Sequence, residues 1–386
     1  MPVLNRIADL APEMASWRRH LHEHPELGFD CHETAAFVAA RLREFGITEI
    51  HEGIAKTGIV AIIEGQGAGP TIGLRADMDA LPITEATGLD YASKRPGVMH
   101  ACGHDGHTAM LLGAAKYLAE TRRFRGRVAL IFQPAEEDGG GGNVMVEEGI
   151  LDRFDIAEVY ALHNTPGVPL GRFVTRPGPI MAAVDTLFVT LSGRGGHGAY
   201  PHDCIDPVPA VVALATSLQT IVSRNISPLK EAVVSVTEIH SGTASNIIPE
   251  TARLTATIRS FDPEVRALIK TRVHEIVAGI AAAHQVSAET HYDWGYPATV
   301  NDADKTAFAV DVAADIAGAA GVEAGAGREM GAEDFSYLLE KRPGCYLFLG
   351  QGAGAGLHHA AYNFNDEAAP YGASFLARVA ETAQPL

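Results

Sequence analysis

The chain has 386 residues, with 30 Lys and Arg against 47 Asp and Glu, and a formal net charge of −17. That balance leaves no basic footprint, so neither nucleic acid nor an anionic membrane surface is expected as a partner. Hydrophobic residues make up 47% and charged residues 20%, which argues against a disordered chain, and the length at roughly 150 residues per domain suggests two or three domains.

In chain order, helical spacing predicts helices over 5–22 and 33–44. Two apolar runs bounded by glycine follow, at 58–64 (GIVAIIE) and 71–76 (TIGLRA), and both predict buried strands. A helix over 107–120, a buried strand over 127–133 (RVALIFQ) and a strand over 158–163 (EVYALH) continue the alternation. Strands alternating with helices imply an α/β domain with a largely parallel sheet. The glycine run at 139–142 predicts a loop.

The middle of the chain differs. Residues 183–191 (AVDTLFVTL) alternate like a half-exposed strand, a helix is expected over 207–223, and strands over 232–239 and 252–258. Asp262-Pro263 caps a long helix whose apolar positions Val265, Leu268, Ile269, Val273, Ile276, Val277 and Ile280 share one face. A strand over 286–292 completes the order β-α-β-β-α-β, the ferredoxin-like signature. The α/β character then returns, with a helix near 304–319, a strand at 345–349 and a C-terminal helix. The expected organisation is one α/β domain, 1–182 and 293–386, interrupted by an inserted α+β domain, 183–292. The first residues carry no basic-then-apolar signal pattern, and no stretch of about 18 apolar residues occurs. Cys31, Cys102, Cys204 and Cys345 are widely spaced without a CxxC pattern and form no disulfide framework. A soluble, cytoplasmic protein is the expectation.

Chemistry concentrates in Met99-His100-Ala101-Cys102-Gly103-His104-Asp105-Gly106-His107. Cys102 and His104 are two apart, which in an extended segment puts both side chains on one side. Thiolate with imidazole suits zinc and its transition-series neighbours, while a cysteine nucleophile with a histidine base is the alternative. Gln133-Pro134-Ala135-Glu136-Glu137 follows an apolar strand, where open α/β sheets gather ligands and catalytic groups. Of two adjacent carboxylates there, one can hold a metal while the other takes a proton from water. His163 ends the strand EVYALH, and Leu357-His358-His359 lies in a glycine-rich loop. Asp77 and Asp79 in RADMDALP also end a strand. They could ligate metal, orient a ligand, or cap the following turn.

In order, the segments WRRHLHEHPELGF, GLRADMDALPI, MHACGHDGHTAMLLGAA, LIFQPAEE, ALHN, GRGGHGAYPH, ASNIIPE, GAEDFSYLL and LHHAAYNFND span nearly the whole chain. Together they resemble the bacterial and plant amidohydrolases of the aminoacylase/carboxypeptidase superfamily. That group includes hippurate hydrolases, N-acyl-amino-acid amidohydrolases and auxin-conjugate hydrolases. The resemblance implies a catalytic α/β domain interrupted by a ferredoxin-like lid and dimerisation domain. It implies two divalent ions per chain (zinc, manganese, cobalt or nickel), held by Cys102, His104, Glu137, His163 and His358, with Glu136 as general base. His100 and His107 fall outside the ligand pattern, and Asp77-x-Asp79 departs from the His-x-Asp pair of more distant branches. His358 is preferred over His359. In the inserted domain the resemblance implies that His197 meets the reacting carbonyl and that Asn246 and Arg259 meet the substrate's carboxylate. Arg259, in IRSFD, carries the guanidinium fork that suits a free carboxylate. The implied activity is hydrolysis of N-acyl amino acids by a homodimer joined through the lid, with His197 acting across the interface or closing over the site. A dipeptidase or carboxypeptidase with the same machinery, and a non-catalytic metal-binding homologue, are the alternatives.

Overall fold

The computed structural model describes residues 3–386, which divide into two compact units. The first comprises the chain up to Ile180, Thr299–Gly327 and Asp334–Leu386, and the second comprises Met181–Ala298 with Arg328–Glu333. The six-residue segment 328–333 thus packs with the inserted stretch although 29 residues, 299–327, lie between them in sequence.

The first unit is built on an eight-stranded sheet. From edge to edge its strands are Glu49–Ile54, Gly58–Glu64, Arg127–Gln133, Thr71–Asp77, Ile156–Thr165, Gly344–Gly350, Phe173–Val174 and Val322–Glu323. The central four, from Arg127–Gln133 to Gly344–Gly350, run parallel. They read as largely apolar runs and are buried along nearly their whole length, as expected of a parallel sheet covered on both faces. Leu74, Leu130, Tyr160 and Leu347 are fully buried in this core. Parallel strands share one carboxyl end, and that end carries the candidate site.

Three of the differences from expectation have a plain local reason. The single helix expected over 5–22 is two, Asn5–Asp9 and Ala11–Glu23, because Pro12 belongs in a first turn rather than a helix interior. Glu49–Ile54 is an additional edge strand. It is half exposed and paired on one side only, so its sequence EIHEGI lacks an apolar run. The expected glycine loop holds only as far as Gly140, since Gly141 opens the helix Gly141–Glu147. A Cβ on Gly141 would lie 1.7 Å from the Pro134 carbonyl oxygen, so this close approach requires glycine.

In the second unit, strands Ala183–Ser192, Ala232–Ser241, Thr251–Ser260 and Ser287–Trp294 form an antiparallel sheet. Its order from edge to edge is 232–241, 251–260, 183–192, 287–294. Ala183–Ser192 alternates buried and accessible positions, as a sheet covered on one face requires. The helices Pro207–Thr220 and Pro263–His284 supply that cover. Asp262 caps the second helix, accepting from the Glu264 and Val265 amides at 2.8 and 3.4 Å. Val265, Ile269, Val273 and Val277 are buried along one stripe, while Leu268 at its margin stays 36% exposed.

Candidate metal centre

The carboxyl ends of the central strands, and the loops that follow them, supply the donors. Asp77 ends one strand, with Asp79 just beyond, and Glu136 and Glu137 follow the end of a second. His163 lies near the end of a third, and His358 lies in the loop after the fourth. Cys102 immediately precedes Gly103, which turns the chain into the helix His104–Thr121 with φ +99°. The Cys102–His104 pair therefore meets through a left-handed glycine turn, not through the extended segment that two-residue spacing suggested. A Cβ at Gly103 would sit 2.2 Å from the Asn164 side-chain oxygen, so the turn and the packing both require glycine.

The structure brings five sequence-identified donors into overlapping groups. Cys102, His104 and His163 form one, and Cys102, Glu137 and His358 form another, with Cys102 common to both. His104, Glu136 and Glu137 form a third. Cys102 Sγ lies 3.4 Å from His163 Nε2, and Glu137 Oε2 lies 3.3 Å from His358 Nε2. His104 Nε2 stands 3.8 Å from Glu137 and 4.0 Å from Glu136. His359 joins no group, and its Nδ1 accepts from the Ala361 amide at 3.0 Å.

Two observations test whether this set fits divalent ions. First, two of the ligand atoms have no hydrogen-bond partner, and other candidate ligands pair with one another. His104 Nε2 and Glu137 Oε1 are buried with no hydrogen-bond partner, while His104 Nδ1 faces the Asp79 carbonyl at 3.0 Å. His163 Nδ1 faces the Asn164 carbonyl at 2.7 Å, which leaves its Nε2 lone pair for an ion. Second, the pocket demands positive charge. Burial disfavours a charged His104, yet the Asp77, Asp79 and Glu137 carboxylates outweigh it and push the imidazole up to about 10. Burial pushes the Cys102 thiol well above its ordinary value, and Glu137 and Glu136 push it further. Its thiolate therefore needs a cation in the same pocket. Burial and neighbouring His107 hold His163 down to about 3, in the neutral form that ligates. Thiol, imidazole and carboxylate donors of this kind fit zinc, manganese, cobalt or nickel.

Asp77 and Asp79 buttress the donors. Asp79 accepts from the Glu136 and Glu137 backbone amides at 3.0 and 3.1 Å and so fixes the backbone from which both carboxylates project. Asp77 lies 2.6 Å from His107 Nδ1 and 2.8 Å from Arg75, and it also belongs to a possible donor group with His104 and His107. His107 Nε2 is 2.7 Å from the Asn164 side chain, so both its ring nitrogens are engaged within the protein. Arg75 and Gln133 also bond Asp334, which accepts from the Gly142 amide at 2.7 Å and so anchors the turn after Glu137. Sequence reading left these buttresses unassigned. Asp334 sits in the segment GAEDFSYLL, which carried no chemistry of its own.

The second unit holds the other three candidates. His197 and Asn246 stand beside each other. Gly196–His197 pairs with Ile247–Ile248, and the Gly198 amide donates to the Asn246 carbonyl at 2.8 Å. His197 is exposed, and its Nδ1 accepts from the Ala199 amide at 3.1 Å. A neutral imidazole accepting at Nδ1 carries its proton on Nε2 and presents a donor outward. Arg259 lies on a different strand. Its Nε donates to the Met330 carbonyl at 3.1 Å, and Nη1 donates to Thr257 Oγ1 at 2.6 Å and the Ile258 carbonyl at 3.0 Å. Part of the expected fork is thus occupied, leaving the Nη2 edge for a ligand.

Comparison with known proteins places these features in context. Residues 73–382 match peptidase family M20/M25/M40. The chain is 41% identical to the hippurate hydrolase of Campylobacter jejuni, over 98% of this chain and 99% of that one. It is 41% identical to thermostable carboxypeptidase 1 of Saccharolobus solfataricus, over 91% and 90%. Its fold is similar to that of a Bacillus subtilis dinuclear metal-binding peptidase, with a TM-score of 0.85, 35% identity and coverage of 98% and 99%.

Proposed function

The chain belongs to peptidase family M20/M25/M40, and from that premise we propose that it is a metal-dependent amidohydrolase that cleaves N-acyl amino acids to a carboxylic acid and a free amino acid. The observation that carries this reading is the donor cluster with Glu136 at its margin. Cys102, His104, His163, Glu137 and His358 would hold the metal, and two donor groups sharing Cys102 suit two ions. Bound there, divalent ions supply Lewis acidity, lowering the pKa of a water and polarising a carbonyl.

The chain's own groups do the rest. Glu136, held by Asp79 through its backbone, takes a proton from the attacking water and delivers it to the leaving nitrogen. His197 Nε2–H donates to the oxyanion that forms on the carbonyl. The Arg259 Nη2 edge and Asn246 receive the carboxylate of the substrate. We read the second unit as a ferredoxin-like lid and dimerisation domain. Its edge strand Ala232–Ser241 is largely exposed and pairs within the chain on one side only, which suits pairing with a twin. Four free cysteines suit the reducing cytoplasm, and no described helix is long and apolar enough to cross a membrane.

The similarity to an archaeal carboxypeptidase favours a second reading, in which the same machinery trims peptides. A metal-loaded panel of hippurate, N-acetyl-methionine and dipeptides separates the two. Faster release from the acyl amino acids is expected, whereas faster dipeptide cleavage would favour the carboxypeptidase. No release from any of them would overturn both. On the same panel Arg259→Ala is expected to lower kcat/KM for hippurate at least about tenfold, the scale of one charge-assisted contact. The carboxamide of hippurate is expected to lose much less, and equal losses would remove Arg259 from the carboxylate site.

A further inference from the structure

The segment WRRHLHEHPELGF supplies no donor, yet it reaches the metal centre from behind. Arg18 and His22 sit four apart on one face of the helix Ala11–Glu23, both almost wholly buried. His22 Nδ1 lies 2.8 Å from Asp105 Oδ2, and Asp105 directly follows His104 at the start of its helix. Arg18 Nη1 lies 3.9 Å from the same carboxylate oxygen. Arg18 also donates from Nε to Asp366 at 2.6 Å and from the same Nη1 to the Asn363 side chain at 3.1 Å. Tyr91 stacks on the guanidinium at 4.7 Å and bonds Asn363.

Asn363 and Asp366 close the loop that carries His358. The upstream side of that loop is tied to the centre by one backbone bond, from the His358 amide to the Ala101 carbonyl at 2.7 Å. His358 itself has φ +60° and an exposed side chain whose Nε2 lies 3.3 Å from Glu137. His104, by contrast, is fully buried at a helix start and bonded to Asp79. One buried guanidinium therefore links the segment that carries His104, through Asp105, to the loop that carries His358, through Asn363 and Asp366.

We propose that Arg18 is a positioning residue for His358, fixing its loop against the His104 helix and thereby setting how tightly the ion that needs His358 is held. The inference rests on reading His104 and His358 as ligands. Partners that orient metal ligands from behind commonly account for about 10–100-fold in affinity.

The test is titration of the full chain with Zn²⁺ against a competing chromophoric chelator, which resolves the two binding steps without any activity measurement. His358→Ala identifies the step that depends on His358. Arg18→Gln is expected to weaken that same step by about 10–100-fold and to leave the other within about twofold. Asn363→Ala, at a half-buried position, is expected to weaken the same step by less, and it decides the matter if Arg18→Gln does not fold. Parental affinity in the variants, or an equal loss at both steps, would overturn the positioning role. If His358→Ala itself leaves both steps unchanged, the ligand reading falls and this inference with it.

Discussion

Glu136→Gln is expected to keep its metal and lose roughly 10²–10⁴ in kcat, the range that a positioned general base contributes. The substitution preserves shape and leaves the backbone bond to Asp79 in place, so only the proton-accepting oxygen is removed. Glu137→Gln is expected to do the opposite. Its carboxylate stands between His104 and His358, and those two histidines outweigh burial to keep it below the ordinary carboxylate range. An amide there supplies less charge to an ion, so occupancy falls first and activity follows. Steady-state rates and elemental analysis on both variants check the division. Metal lost from Glu136→Gln and kept in Glu137→Gln would show that the two roles are reversed.

His197→Ala is expected to retain fold and metal while kcat falls by roughly 10²–10³, the scale of one oxyanion donor. The expectation follows from the proposed oxyanion role, for which its local geometry supplies a donor. The Ala199 amide occupies Nδ1, so the proton of the neutral ring stays on Nε2, and the pairing of Gly196–His197 with Ile247–Ile248 gives the glycine-rich segment a fixed backbone. Mixing His197→Ala with Glu136→Gln subunits tests whether this donor works across a dimer. A histidine acting across the interface pairs one intact metal centre with one intact donor, and part of the activity returns. With a histidine acting within its own chain, mixing rescues nothing. A monomer by light scattering would also end the version across the interface.

Much of the fold was legible because its determinants are local. Apolar runs such as GIVAIIE and RVALIFQ mark strands covered on both faces, and Asp262-Pro263 marks a helix start that the structure caps as the pair predicts. The Pro12 break shows the limit of periodicity, since apolar spacing carried across a residue whose backbone chemistry restarts the helix. At the site, residue types pointed to metal chemistry, strand ends placed Glu136, Glu137 and His163, and the family resemblance supplied the donor set. What sequence did not reveal is held by partners far apart in the chain. Arg75, Gln133 and Asp334 meet across 259 positions, and Asn164 bonds Tyr362 at 2.7 Å across 198. The role of Asp79 was equally hidden, because it acts on backbone amides, which carry no residue signature.

The central claim is that the Cys102 cluster holds the ions on which hydrolysis depends. Metal per chain in Cys102→Ala, measured by elemental analysis beside the parent protein, tests it most directly because Cys102 is shared by two of the donor groups. The account predicts about two ions per chain in the parent, as in two-metal hydrolytic sites, and a clear loss of metal in the variant. Unchanged metal content in Cys102→Ala would contradict it.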